Sequence, residues 1–239
     1  MINFEQLQGK TIVITGATKG IGRETAKLLS QLGANLVLGA RSESDLHSFA
    51  SELGTKTMAL EVDVSEEESV RRFAQEAIAR FGKIDALINS AGTGIFDSLL
   101  ELSLRDFDRM IAVNLRGTFL CCKYFGRQMA QNGQGKMLNM VSIAGTTALP
   151  GCGGYSASKF GVLGLTRVLQ AELRDKGVQV TAVLPGAVAT PFWDKLDPKP
   201  DLSQMIPAAS LAKHLVYLLC QPEGAVVDEI TIMPPLGIL

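Results

Sequence analysis

Short apolar runs alternate with amphipathic stretches along the chain. The runs are rich in β-branched residues and end at glycine, proline or polar residues, a pattern typical of buried strands. Seven occur: "KTIVITG", "NLVLGA", "TMALEV", "DALINS", "KMLNMVS", "VQVTAVLP" and "VDEITIM". Stretches with apolar residues at helical spacing separate them. Alternating strands and helices build βαβ units, so the pattern predicts an α/β fold: a doubly wound, seven-stranded parallel sheet with helices on both faces.

The helices between these runs carry their own signals. Ser42 can cap the second helix. The stretch "SEEESVRRFAQEAIARFG" is acidic first and basic last, and Ser65 with Glu68 forms a predicted capping box at its start. Long helices are predicted over 104–129 and 155–176.

No linker or repeat divides the chain, so residues 1–239 are predicted to form a single domain. The proline-rich stretch 190–207 is predicted as a surface loop with a functional purpose.

Composition narrows the function classes. With 46% hydrophobic residues, 20% charged residues and a formal net charge of −1, the chain is typical of a globular protein and lacks the basic excess of a nucleic-acid binder. No signal-peptide pattern or membrane-length apolar run is present, so we expect a cytoplasmic protein. The cysteines do not form a C-x-x-C pattern, and no metal site is expected. Cys121, Cys122 and Cys220 are interpreted as small reduced hydrophobes on helices.

A glycine-rich turn, "TGATKGIG", follows the first predicted strand and opens the first helix. Gly16, Gly20 and Gly22 would allow the tight turn and close backbone approach that a pyrophosphate needs, while the helix N-terminus directs N–H groups at the anion. An ordinary turn with incidental glycines is the alternative. The position within a βαβ unit favours dinucleotide binding.

The stretch "GYSASKFG" contains one of only three tyrosines, with a lysine four residues later. Tyr155 and Lys159 therefore share a helix face. A free tyrosine, with a pKa of about 10, is a poor acid–base catalyst near neutrality, and a nearby cation lowers that pKa. Tyr155 could then give a proton to a carbonyl oxygen or take one from an alcohol. The alternative is an amphipathic helix with an incidental Tyr and Lys.

Taken in order, the motifs resemble those of the short-chain dehydrogenase/reductase family. They are T-G-x-x-x-G-x-G, "NSAG" where the family usually has N-N-A-G, Asn114, Ser142, the Y-x-x-x-K pair and "PGAVAT". The resemblance covers almost the whole chain. It implies a Rossmann-like fold and an oxidoreductase that moves a hydride between a nicotinamide dinucleotide and a carbonyl or secondary alcohol substrate, such as a ketone, an aldehyde or a 3-oxoacyl thioester.

The resemblance assigns catalytic roles to Asn114, Ser142, Tyr155 and Lys159. Ser142 would donate to the substrate carbonyl and stabilise its developing charge. Lys159 would lower the pKa of Tyr155 and hydrogen-bond the nicotinamide ribose. Asn114 would hold a water that relays protons through the lysine; a purely structural role is the alternative.

The dinucleotide is expected to contact a larger set of residues from several segments. Thr190 would bond the carboxamide and Asp63 the adenine, although Asp63 could simply be an acid at a helix start. The expected cofactor-binding residues are Gly16, Thr18, Lys19, Gly20, Ile21, Gly22, Arg41, Ser42, Asp63, Val64, Asn89, Ala91, Gly92, Tyr155, Lys159, Pro185, Gly186, Val188 and Thr190.

The end of the second strand favours NADP(H) over NAD(H). NAD enzymes of this architecture usually carry Asp or Glu there, whereas this chain has Ala40 and Arg41. The guanidinium of Arg41 suits a 2′-phosphate, and Lys19 adds a second positive charge. Arg41 could instead be an ordinary solvated arginine, and Glu43 complicates the local field.

Substrate and assembly are predicted more coarsely. Phe192, Trp193 and Met205 could form an apolar wall of the substrate pocket. Stretch 143–154 has no charged residue, so the reacting end of the substrate is expected to be uncharged or largely apolar. Cys152 could be a pocket residue that thiol reagents block, or a small wall residue.

A homodimer or homotetramer is expected through the two long helices. The chain end lacks the family's usual V-D-G-G, which puts tetramer contacts in that region in doubt. A nicotinamide-binding sensor or scaffold with little catalysis is the competing function.

Overall fold

A parallel sheet of seven strands forms the centre of the molecule in the computed structural model, which describes residues 3–54, 56–194, 196–222 and 224–238. The strand order is β3-β2-β1-β4-β5-β6-β9, and every neighbouring pair is parallel. A separate two-stranded pair joins β7 to β8. The strands are β1 Thr11–Thr15, β2 Asn35–Ala40, β3 Thr57–Glu61, β4 Ala86–Asn89, β5 Gly135–Met140, β6 Val178–Pro185, β7 Val188–Ala189, β8 Ile206–Pro207 and β9 Glu229–Ile232.

Helices cover both faces of the sheet. The α-helices are α1 Gly20–Gln31, α2 Glu43–Ser51, α3 Glu67–Phe81, α4 Leu104–Met110, α5 Gly117–Gln131, α6 Gly153–Leu173 and α7 Ala208–Leu219. Short 3₁₀ helices span Phe4–Leu7, Ile143–Gly145, Arg174–Lys176, Pro191–Trp193 and Leu202–Gln204. The predicted fold class, a Rossmann-like doubly wound sheet, is confirmed. No helix in the described ranges has the length and apolar character to cross a membrane.

Alternating side chains of each strand divide the core into two layers. Ile12 and Leu36 lie in the layer that also holds Leu29 of α1 and Leu215 of α7. Residues of opposite parity, such as Val13 and Val37, lie in the layer beneath α3 and α5. Both faces of the central strands are therefore buried, which explains why the strands read as continuous apolar runs.

The long helix predicted over 104–129 is interrupted by a π-helical turn, Ile111–Arg116, between α4 and α5. The predicted span is close, since α5 ends at Gln131. The π-turn is not visible in the apolar spacing. Such turns often occur at functional sites, and this one contains Asn114.

The predicted capping box at the start of α3 is wrong. The helix begins at Glu67, and no side chain caps it. Ser65 instead donates its N–H and its hydroxyl to Asp63 Oδ1, at 2.9 and 2.6 Å, while Glu68 pairs with Arg71. The charge-assisted bonds to the carboxylate hold Ser65 outside the helix, whose N-cap position is occupied by Glu66. The Ser42 cap of α2 is confirmed, because its side chain accepts from the Asp45 N–H.

Candidate active site

The candidate site lies at the carboxyl ends of the strands, near the point where the strand order reverses between β1 and β4. Open α/β sheets bind their ligands at such a switch point. The β1–α1 turn, the loop after β4 and the segments after β5 and β6 all meet there.

The β1–α1 turn can be built only with glycine at two of its positions. Gly16 has φ +67°, and a Cβ there would lie 2.8 Å from the backbone of Ala91. A Cβ on Gly22 would lie 2.5 Å from the Gly16 carbonyl oxygen. A Cβ on Gly20 would lie 3.1 Å from Thr190. The turn therefore sits tightly against two other segments expected to bind the dinucleotide.

The N-terminus of α1 is left without a side-chain cap. Lys19 occupies the N-cap position, and its side chain makes no capping hydrogen bond. The first N–H groups of a helix need a partner from outside the helix. Thr18 and Ile21 flank this start, so the turn fits a pyrophosphate held by backbone N–H groups.

Two exposed cations stand beside this turn without ion-pair partners in the described ranges. They are Lys19, at the start of α1, and Arg41, directly after β2. Glu43, which could have neutralised Arg41, lies 3.7 Å from His47. Ser42 caps α2 and so is held next to Arg41.

The catalytic candidates after β5 come together on one side of the sheet. Ser142 stands beside Tyr155 of the first turn of α6, where its interaction with the hydroxyl acts to lower the Tyr155 pKa against the larger effect of burial. Ser142 Oγ accepts the Ala144 N–H at 3.1 Å. One turn further along α6, Lys159 is buried, with its Nζ 5.6 Å from the Tyr155 ring centroid. Lys159 donates to the Met140 carbonyl at 2.7 Å, which fixes the direction of its side chain.

Burial moves the pKa values of this pair in opposite directions. It raises the pKa of Tyr155 to about 12, while the interaction with Ser142 acts the other way. It lowers the pKa of Lys159 to about 8. Burial favours the neutral form of both groups. In the chain by itself, burial therefore outweighs the lowering of the Tyr155 pKa that the sequence led us to expect.

The π-turn directs Asn114 to the loop after β4 and to α6. Its Nδ2 donates to the Thr93 carbonyl and to Ser158 Oγ, both at 2.9 Å, and its Oδ1 accepts the Thr93 N–H at 2.8 Å. A Cβ on Gly92 would lie 3.4 Å from Asn114 Oδ1 and 3.9 Å from Lys159 Nζ. Gly92 thus lies close to both side chains. The water-relay role of Asn114 stays a prediction.

Asn89 directs its side chain into the interior. Its Nδ2 donates to Asn139 Oδ1 at 2.8 Å and to Cys122 Sγ at 3.3 Å. Asn139 in turn donates to Thr166. Cys122, interpreted as a simple hydrophobe, is therefore part of a buried polar network. The only sequence signal for this network was Asn139 itself, a polar residue within an apolar run. The cofactor role of Asn89 stays a prediction.

Other expected cofactor residues also have structural partners. Asp63 Oδ1 is engaged by Ser65, and Val64 packs on Gly117, where a Cβ would lie 2.8 Å from Val64 Cγ2. Beyond β6 and its last residue, Pro185, the chain is fixed by the Gly186 N–H, which donates to Ile232 at 2.9 Å.

An aromatic cluster surrounds the Tyr155 ring. Phe96 and Phe192 have centroids 5.7 and 5.8 Å from that of Tyr155, and Trp193 lies 5.2 Å from Phe192. The predicted apolar wall is present for Phe192 and Trp193, whereas Met205 is buried.

Sequence reasoning missed Phe96. The available signal was a lone aromatic residue in the glycine-rich "NSAGTGIF" loop.

Cys152 lies near Tyr155, at the N-cap position of α6. It is partly buried, burial raises the pKa of its thiol, and it forms an isolated bridge with Asp97. The high pKa disfavours a reactive thiolate. The described residues contain no cluster of three or more His, Cys, Asp or Glu side chains suited to a metal ion.

Comparison with known proteins identifies relatives over the same region. The short chain dehydrogenase family matches residues 10–201. A sepiapterin reductase of Chlorobaculum tepidum is 35% identical, over 95% of this chain and 96% of its own. A 3-oxoacyl-[acyl-carrier-protein] reductase of Synechocystis sp. is 35% identical, over 92% of both chains.

Solved structures agree with the sequence relatives. An alcohol dehydrogenase of the archaeon Thermococcus sibiricus, complexed with 5-hydroxy-NADP, superposes with a TM-score of 0.89 at 34% identity, covering 95% of this chain and 97% of that one. A metagenomic short-chain oxidoreductase in complex with NADP gives a TM-score of 0.84 at 30% identity, covering 95% of this chain and 98% of that one.

Proposed function

The chain belongs to the short-chain dehydrogenase family, and on that basis we propose that it is an NADP(H)-dependent oxidoreductase of carbonyl compounds and secondary alcohols, with Tyr155 as general acid and base. The observation that carries the proposal is the placement of Tyr155 next to Ser142, with the buried Lys159 Nζ 5.6 Å from the Tyr155 ring centroid. A hydroxyl that can polarise a carbonyl oxygen (Ser142), a hydroxyl that can protonate it (Tyr155) and an amine that can exchange a proton (Lys159) therefore stand together.

The residues divide the work as follows. The bound dinucleotide supplies the hydride and, when oxidised, a positively charged ring. Ser142 donates a hydrogen bond to the substrate oxygen, and the Tyr155 hydroxyl gives it a proton. With its own pKa lowered to about 8, Lys159 can exchange a proton near neutral pH. In the oxidative direction Tyr155 takes the alcohol proton, which requires its own pKa to lie well below about 12. The positive charges of Lys159 and of an oxidised nicotinamide ring would both lower the Tyr155 pKa.

Three observations support NADP(H). Arg41 and Lys19 lack ion-pair partners in the described part of the chain, the strand end carries no acid, and both solved relatives named above hold an NADP-type cofactor. A 2′-phosphate offers such cations a charge-assisted partner that a ribose hydroxyl does not. The other expected contacts, from the glycine turn to Val188 and Thr190, are proposed on the same basis.

The test is oxidation of NADPH against a panel of ketones, aldehydes, quinones and an acetoacetyl thioester, with NADH run in parallel. We expect turnover with NADPH that falls by about 10³-fold or more in Tyr155→Phe, because the proton donor is lost. NADPH binding without turnover of any compound would contradict the proposal and favour a sensor.

The cofactor preference is tested in the same assay with Arg41→Asp. The variant should weaken NADPH binding by about tenfold or more and leave NADH binding nearly unchanged, because only NADPH carries the 2′-phosphate. Lys213→Asp, which makes the same two-unit change of charge at an exposed position on α7, is the matched control. Equal losses for the two cofactors would reject the role of Arg41.

A further inference from the structure

The aromatic cluster around Tyr155 points to a particular class of substrate. We propose that the substrate carries a flat, uncharged aromatic ring next to its reacting carbonyl, and that Phe96, Phe192 and Trp193 select it through ring contacts. The inference rests on the proposed function, because it places the carbonyl at Ser142 and Tyr155.

The three rings form one continuous wall beside the catalytic tyrosine. Phe96 contacts Tyr155 edge-on, at 5.7 Å with an interplanar angle of 60°, and stacks on Trp193 at 5.7 Å and 13°. Phe192 lies 5.8 Å from both Phe96 and Tyr155. All four side chains are partly exposed. Ring faces and edges therefore remain accessible next to the position where a carbonyl would be protonated.

The wall is held in place from both sides. Trp193 donates its indole N–H to the Val188 carbonyl at 2.9 Å. Next to Phe96, the Asp97 N–H donates to the Gly151 carbonyl at 2.9 Å. These bonds hold the segments of Trp193 and Phe96 in place, so less conformational freedom is lost when a ligand binds, which favours affinity.

Phe192 depends on the absence of a side chain at Gly94. A Cβ there would lie 2.3 Å from Phe192 Cζ and 3.0 Å from Phe96 Cζ. The missing side chain at Gly94 therefore leaves the space in which the Phe96 and Phe192 rings contact each other.

The chemistry of the wall favours an uncharged aromatic ligand over two other classes. None of the cation–ring contacts in the described residues involves Phe96, Phe192 or Trp193, and stretch 143–154 has no charged residue. A carboxylate or phosphate at this point would lose hydration without gaining a cation. An aliphatic chain would gain burial only, whereas an aromatic ring also gains the edge-to-face attraction of ring quadrupoles.

A pair of ketones of similar size tests the inference. Acetophenone and cyclohexyl methyl ketone differ mainly in the flatness and π-electrons of the ring. With NADPH we expect kcat/KM to favour acetophenone by about tenfold, and Phe96→Leu or Phe192→Leu to reduce that ratio by about threefold to tenfold. Phe96→Tyr retains a ring and should retain the ratio. Phe4→Leu, which changes an exposed phenylalanine of the N-terminal 3₁₀ helix, should also retain it.

Binding can be measured without turnover, because Trp193 is the only tryptophan of the chain. Acetophenone added with NADP⁺ cannot be reduced, so saturable quenching of Trp193 fluorescence reports binding at the wall. We expect Phe96→Leu to weaken this binding by about threefold or more, with NADP⁺ affinity unchanged.

The outcomes separate this inference from the proposed function. Turnover of the alicyclic ketone or the acetoacetyl thioester with no preference for acetophenone would overturn the ring selection and leave the reductase intact. Saturable binding of acetophenone without turnover of any carbonyl compound would support ring binding and contradict the reductase. Absence of both would overturn both.

Discussion

At the scale of single residues, the proposed catalytic pair, Tyr155 and Lys159, lies in surroundings that oppose the charge that catalysis would need. Burial raises the pKa of Tyr155 and lowers that of Lys159, so in the chain alone Tyr155 stays protonated at neutral pH and Lys159 loses its proton more readily than an exposed lysine. A buried lysine is costly for the fold unless its charge is compensated. We therefore expect part of the folding free energy to be given up for function at this position.

Lys159→Met should reveal this cost through its dependence on pH. The pKa of Lys159 is about 8 in the folded protein, against an ordinary value of 10.5. Between these values the unfolded chain binds more protons at this position, so the stability of the wild type rises with pH across that window. The burial penalty is fully present below pH 8, where it amounts to about 3 kcal/mol.

In the cofactor-free protein, the free energy of unfolding of Lys159→Met should therefore exceed that of the wild type by the largest amount at pH 7. The difference should shrink toward pH 10.5. The lost hydrogen bond to Met140 reduces it by about 1 kcal/mol at every pH. Urea unfolding at pH 7, 8, 9 and 10 measures the difference. Lys213→Met is the control, since an exposed lysine has no burial penalty to lose. A pH-independent difference for Lys159→Met would contradict the argument.

At the scale of elements, the β1–α1 unit depends on one close contact. A Cβ on Gly22 would lie 2.5 Å from the Gly16 carbonyl oxygen, a distance that forces the start of α1 away from the turn. Gly22→Ala should therefore weaken NADPH binding by about tenfold or more and lower the free energy of unfolding by about 1–3 kcal/mol.

Gly54→Ala is the matched control, because the same added methyl group would meet nothing within 4 Å. We expect its stability to stay within about 0.5 kcal/mol of the wild type and its NADPH affinity to be unchanged. Isothermal titration with NADPH and urea unfolding measure both effects. Wild-type affinity in Gly22→Ala would show that the turn tolerates the displacement.

The elements also show how far the sequence could predict the structure. Strands and helices followed from apolar spacing because burial on both sheet faces imposes that spacing. The π-turn around Asn114 did not, since one extra residue per turn barely changes the spacing. The capping box failed because Asp63, which lies outside the four-residue motif, binds Ser65, and the helix begins only at Glu67.

The candidate site was predictable to a similar degree. The catalytic candidates Ser142, Tyr155 and Lys159 do come together, because Ser142 follows the carboxyl end of β5 and the first turns of α6, the next long helix, carry the other two. Phe96 and the inward turn of Asn89 depend on contacts between segments distant in the sequence. Periodicity carries no information about such contacts.

At the scale of the whole molecule, an apolar stripe on α5 and α6 has no partner within the described chain. Phe119, Phe160 and Val168 are 44%, 48% and 53% exposed. Phe160, Gly164 and Val168 are spaced four residues apart and share one face of α6. A Cβ on Gly164 would meet nothing within 4 Å, so a second helix could approach closely there.

We expect a second copy of the chain to cover this stripe, as the long helices led us to predict. Light scattering at micromolar concentration should give at least a dimer, and Phe160→Glu should give a monomer, because a charge at the centre of an apolar contact loses hydration without a partner. Leu100→Glu is the control, since Leu100 is 91% exposed outside both helices. A monomeric wild type would contradict the expected dimer. A Phe160→Glu variant that stays assembled would show that the subunit contact lies elsewhere.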